Sequence, residues 1–180
     1  MKESHQLVIE AATPGDVAPL VALHAAVAAS LTAAHGRGHW SRCPSDRSIE
    51  RALNGSHVFV GRRRDRVEGT LSLTKKKPWA IDPDFFTPAA RPLYLLDMAV
   101  HPDVQRRGIG RTLMTFALAF AAQSGFDAVR LDAYDYPAGA GGFYAKCDMA
   151  FRGHRTYRST PLVYFEALTR SHSQSSAVTA

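Results

Sequence analysis

The run Val104-Gln105-Arg106-Arg107-Gly108-Ile109-Gly110-Arg111-Thr112-Leu113-Met114 follows an apolar, strand-like segment and opens an amphipathic helix. That order is the layout of a phosphate cradle. Glycines let the backbone turn tightly and approach a ligand closely, and the first amides of a helix point outward with the positive end of its dipole. Arg106, Arg107 and Arg111 add fixed positive charge around the turn, suited to a pyrophosphate that brings several negative charges to one spot. Two familiar glycine motifs fail here. A Walker loop, G-x-x-x-x-G-K-[ST], does not occur, and in a G-x-G-x-x-G frame Leu113 stands where the third glycine belongs. Taken alone, the run also admits a plain strand-to-helix turn with a solvated basic cap.

The context sharpens the reading. Gln105-Arg106-Arg107-Gly108-Ile109-Gly110 resembles the Q/R-x-x-G-x-G/A signature of the GCN5-related N-acetyltransferase (GNAT) superfamily, and all its defined positions match. Upstream, the segment Pro92-Leu93-Tyr94-Leu95-Leu96-Asp97-Met98-Ala99-Val100-His101-Pro102 resembles the family's fourth strand with its closing "AVHP". Downstream, Gly142-Phe143-Tyr144-Ala145-Lys146-Cys147 resembles its "FYxKxGF" element. The resemblance covers residues 93–151 well and the first half by order of elements.

It implies an α/β (α+β) fold with a mixed, mostly antiparallel sheet, helices on both faces, and a splay between the fourth and fifth strands. It also implies acetyl-CoA as acetyl donor. Gln105, Arg106, Arg107, Gly108, Ile109, Gly110, Arg111 and Thr112 would hold the pyrophosphate, and the main chain of Met98, Ala99 and Val100 would hold the pantetheine arm.

The chain has 180 residues, 46% of them apolar, enough to fill one core. A single domain is expected over residues 1–168, with a serine-rich, disordered tail over 169–180. No apolar stretch of the ~20 residues needed to span a bilayer is read, and the polar start lacks a signal-peptide core, so a cytoplasmic protein is expected. Cys43 and Cys147 form neither a CxxC pair nor a disulfide framework. The formal charge of +6, with Arg62-Arg63-Arg64 and Lys75-Lys76-Lys77, raises a nucleic-acid module as an alternative. Both runs sit at strand ends without interleaved aromatics, as solvated charges do, so no nucleic acid is expected as a partner. His35 and His39 lack a partner ligand, and no metal site is expected.

Strands are read at 7–11, 57–62, 66–74, 92–102, 128–133, 151–157 and 162–168. Helices are read from the stripe Val17, Leu20, Val21, Leu23, His24, Val27 and Leu31, at 45–53 with Ser45 or Asp46 as cap, after the glycine run to about Ser124, and at 141–147. The loop around Trp40 and the proline-containing loop at 75–90, with Trp79, Asp82, Asp84, Phe85 and Phe86, would build an acceptor pocket with the first two helices.

Acetyl transfer to an amine needs a neutral nitrogen, stabilisation of the carbonyl oxygen and a proton for the departing thiolate. The resemblance gives Tyr144 the last role and a main-chain amide near Val100 the second. Asp132 stands twelve residues before Tyr144, as a catalytic glutamate does in members resembling the ribosomal-protein alanine acetyltransferases. By strand alternation Asp97 would point away, so Asp132 is favoured as base, directly or through water; Asp97 or no base stay open. Asp148 and Met149 replace the family's glycine and aromatic, and Cys147 reads as a small buried hydrophobe. The acceptor would be an amine of a small molecule or peptide, by resemblance with a homodimer. A non-catalytic acyl-CoA sensor remains the alternative.

Overall fold

The computed structural model describes residues 6–169, so the expected tail lies, from residue 170, outside the described residues. The strands are β1 (Val8–Ala11), β2 (His57–Arg63), β3 (Arg66–Thr74), β4 (Pro92–Val100), β5 (Ala128–Tyr134), β6 (Ala150–Tyr157) and β7 (Thr160–Leu168). The helices are α1 (Val17–His35), α2 (Asp46–Gly55), α3 (Ile109–Gln123) and α4 (Gly141–Ala145). The strands form one sheet in the order β1-β2-β3-β4-β5-β7-β6, antiparallel except for β4 and β5. The mixed α/β architecture expected from the sequence is thus the observed one.

Alternation along β2 and β3 sends apolar side chains to both faces, and helices cover both. Leu113, Met114, Ala117 and Ala121 of α3 pack with Phe59, Leu71, Leu73 and Leu131. On the other face Leu20 and Leu23 of α1 and Ile49 of α2 pack with Val58, Val60 and Val67. Ser45 caps α2, its hydroxyl accepting from the Ser48 amide at 3.3 Å.

The entry to α1 is tied to the sheet. The Asp16 carboxylate accepts from the Thr13 amide and hydroxyl and from Arg62 at 2.6 Å. Burial pushes the Asp16 pKa up, yet hydrogen bonds from Arg62 and Thr13 bring it below the usual carboxylate value. Arg62 also pairs with Glu10, and Arg63 lies 3.3 Å from Glu68. Arg62 and Arg63 are therefore engaged within the fold and not merely solvated.

One expectation is overturned. The helical segment Pro14–His35 is 22 residues long and holds an 18-residue window with a mean hydropathy of 1.8, long and apolar enough by length and composition to cross a membrane. Alanines hide this from a search for large apolar residues. In the fold α1 lies against β3 and β4.

The 75–91 loop folds onto the end of the sheet around Glu166, which is 1% exposed. Its carboxylate accepts from Arg130 at 2.9 Å and from the Thr87 amide at 3.2 Å, and lies 2.6 Å from Arg152. Phe86 stacks on Tyr164 at 5.3 Å and carries the Arg130 guanidinium on its other neighbour contact at 5.0 Å. Trp79 alone among the loop's aromatics stands out, 84% exposed.

Removing one partner of a buried charge network leaves the others uncompensated. Glu166→Gln is expected to lower the unfolding free energy by about 3 kcal/mol at neutral pH, read by urea unfolding. Burial raises the Glu166 pKa, but the hydrogen bonds from Thr87 and Arg130 and the charge of Arg152 bring it below the ordinary 4.5. A depressed folded-state pKa contributes stability above the unfolded value and loses it as pH falls through the folded one. The gap between variant and wild type should therefore narrow as pH falls below 4.5.

Candidate active site

Between β4 and β5 the ladder covers only three residue pairs, Pro92 with Ala128, Leu93 with Val129 and Tyr94 with Arg130. Beyond them the strands diverge. β4 also carries a bulge: Thr70 faces Ala99 while Ser72 faces Leu96, so two residues of β4 oppose Leu71 alone. Asp97, at φ 50°, occupies the irregular position.

The chain past β4 builds the cradle. A single 3-10 turn at Pro102–Val104 leads to Gln105, whose side-chain amide donates to the Val100 carbonyl at 3.0 Å and latches the loop to its strand. Gly108, at φ 86°, sets the start of α3, a conformation that L side chains rarely adopt. Gly110 serves a close approach. A Cβ there would lie 3.1 Å from the Phe143 ring, which closes over the first turn of α3.

The outcome is a cavity of about 450 Å³ lined by Met98, Ala99, Val100, Gln105, Arg106, Gly108, Ile109, Gly110 and Arg111, with Ala140, Phe143, Tyr144 and Lys146. Arg107 and Thr112 are outside its lining; Thr112 turns back to the Gly108 carbonyl at 3.2 Å. Unpartnered helix-start amides, two arginines and an apolar floor fit a pyrophosphate with a slender apolar arm.

A second cavity, about 340 Å³, adjoins the first. Its walls are Leu31 of α1, Trp40, the bulged segment 95–98, Asp132, Ala133 and Tyr134 of β5, and the 138–140 turn. Met98, Ala140 and Tyr144 line both cavities. Tyr144, 7% exposed, packs on Phe143 and Phe165, with its hydroxyl 4.0 Å from the Met98 sulfur.

Asp97 therefore does not point away. Simple alternation fails at the bulge, which turns its side chain to the second cavity beside Leu96 and Met98. The structure brings Asp132 and Tyr144 to this cavity as well. The loop carrying Trp40 contributes as expected, whereas α2 and the 75–90 loop supply none of the lining. Asp82 caps the Asp84 amide and lies 3.4 Å from Arg155. Tyr134 was not singled out by sequence, although extending β5 by one residue puts it on the same face as Asp132.

Burial raises the Asp132 pKa above the ordinary carboxylate value. Burial likewise drives the Tyr144 phenol far up, with Asp132 and Cys147 adding to the effect. For Tyr134 burial leads, followed by the negative charges of Asp132 and Asp97, with Arg42 opposing. Burial lowers the His24 pKa, and Asp97 partly offsets it.

The profile of the acetyltransferase (GNAT) family matches residues 25–149, and the chain belongs to that family. Its acyl donor is acetyl-CoA. No curated protein matches the sequence significantly. Among solved structures, the ribosomal-protein-S18-alanine N-acetyltransferase from Escherichia coli is similar, with 13% identity, 96% of this chain and 100% of that one covered, and a TM-score of 0.69. A GNAT-family acetyltransferase from Listeria monocytogenes has 15% identity, coverage of 93% and 98%, and a TM-score of 0.72. YncA from Salmonella typhimurium, described as a putative acetyltransferase and solved with its cofactor acetyl-CoA, has 17% identity, coverage of 96% and 99%, and a TM-score of 0.64.

After α4 the chain turns through Asp148 at φ 58°, so the aspartate adopts the conformation for which the family's glycine is suited. Asp148→Gly is expected to raise the unfolding free energy by up to about 1 kcal/mol and Asp148→Val to lower it by a similar amount, both read by urea unfolding.

Proposed function

We propose that this chain transfers the acetyl group of acetyl-CoA to a primary amine by direct attack, within one acetyltransferase domain over residues 1–168. The observation that carries the reading is the meeting of two cavities at one phenol, Tyr144. A domain that only bound acyl-CoA would have no use for the second cavity.

The helix-start amides with Arg106 and Arg111 hold the pyrophosphate, and the edge of β4 that β5 leaves free at Met98, Ala99 and Val100, where Gln105 already takes the Val100 carbonyl, holds the pantetheine arm through main-chain hydrogen bonds. A main-chain amide near Val100 stabilises charge on the carbonyl oxygen. During transfer the amine nitrogen bonds to the thioester carbon and the carbon–sulfur bond breaks. One proton leaves the nitrogen and one reaches the sulfur. Asp132 receives the first, directly or through water; Tyr144 gives the second and is reprotonated from solvent. The raised pKa of Tyr144 keeps the phenol protonated at working pH, while that of Asp132 makes it a stronger acceptor of protons than an exposed carboxylate.

Calorimetric titration with acetyl-CoA, followed by thiol release against a panel of amines, tests the reading. Saturable binding with amine-dependent release is the expected result, and binding without release for any primary amine would refute transfer. Tyr144→Phe should lower kcat by about 100-fold while acetyl-CoA affinity changes little, because the ring still fills its place.

The pH profile separates the base. A base works ionised, so kcat/KM of the wild type should fall as pH drops through the raised Asp132 pKa. Asp132→Asn should lower the rate and remove that acidic limb; an unchanged limb would assign it to another group.

A further inference from the structure

The second cavity has a one-sided charge. Two carboxylates line it, Asp97 from the bulge of β4 and Asp132 from β5, and no lysine or arginine does. Among the described residues neither carboxylate belongs to an ion pair. Three other titratable groups sit nearby, outside the lining: Arg42 acts on Tyr134, His39 stacks on Tyr134, and His24, whose pKa burial lowers, interacts with the charge of Asp97.

The remaining walls are aromatic and apolar. Trp40 meets Tyr134 edge-on at 6.3 Å and Tyr136 at 5.9 Å, and His39 stacks on Tyr134 at 5.7 Å. These rings are held in place. The indole N–H of Trp40 donates to the Gly36 carbonyl at 3.0 Å, and the His39 ring lies in hydrogen-bond contact with the Thr160 hydroxyl at 3.0 Å. Ring faces beside carboxylates attract an alkylammonium and give nothing to a carboxylate.

The nitrogen that attacks must lose its charge before it reacts, so it cannot balance both aspartates. We propose that the acceptor is an alkyl diamine without a carboxylate, whose reacting nitrogen lies at Asp132 and Tyr144 and whose second, charged nitrogen pairs with Asp97 along the Trp40 and Tyr134 rings. This assignment rests on the acetyl-transfer reading above and names its substrate class. Free amino acids are disfavoured because no lysine or arginine lines the cavity to meet their carboxylate.

Three probes with one carbon chain isolate the claim: cadaverine carries the second ammonium, n-pentylamine lacks it, and lysine adds a carboxylate. With the wild-type protein, kcat/KM for cadaverine should exceed that for each of the others by about tenfold, the value of one charge-assisted contact. In Asp97→Asn the ratio of cadaverine to n-pentylamine should fall toward one, chiefly through KM. Calorimetric binding of cadaverine alone provides a readout independent of turnover. Cadaverine that binds, more weakly to Asp97→Asn, yet is never acetylated would support the diamine site and refute the transfer reading. Equal kcat/KM for cadaverine and n-pentylamine, preference for lysine, or neither binding nor turnover of cadaverine would overturn the diamine site.

Discussion

A β-strand in the middle of a sheet normally has both edges hydrogen-bonded, and β4 does not. Its pairing with β3 runs along the strand, but its ladder with β5 ends at Tyr94. The edge beyond Tyr94 faces the wedge, where its main-chain groups need partners, because a polar group left dry costs free energy comparable to a lost hydrogen bond. The rest of the molecule is arranged around that gap. α3 begins at one end of it, α4 and Tyr144 stand across it, and the two cavities occupy its length. The sheet is held together elsewhere, by the β5, β7 and β6 ladders and by Glu166, whose buried contacts to Arg130 and Arg152 tie β5, β6 and β7 to the loop that follows β3.

Much of this was legible in the residues. Strand and helix order followed from alternation and from the stripe of α1, and boundaries differed by one or two residues, as frayed ends do. The cradle was the clearest element because local rules determine it: a glycine at positive φ, a second that admits Phe143, and a helix start are all contiguous in sequence. Nine of the eleven residues expected at the donor site line one cavity.

The second cavity was less legible, for a physical reason. Its walls come from residues far apart in the chain, and a single bulge decides which way Asp97 faces. A period of two cannot foresee an extra residue in a strand. Composition misled in two further places. Asp82 and Asp84 were expected to help build the acceptor pocket, but Asp82 caps the Asp84 amide and lies by Arg155. Alanine-rich α1 was read as an ordinary amphipathic helix, whereas it is apolar enough to meet the length and hydropathy of a membrane span.

The wall shared by the cavities consists of Met98, Ala140 and Tyr144. On one side of this seam the surface is drawn mostly from a single stretch of chain, residues 98–111, under tight backbone constraints. On the other it is drawn from several separate stretches of chain: α1, the Trp40 loop, the bulged segment 95–98, the end of β5 and the 138–140 turn. Substitutions can thus accumulate on the second side without disturbing the first. The seam divides the site into a conservative half and an adaptable half, and diversification of a lineage built on this scaffold would be concentrated in the latter.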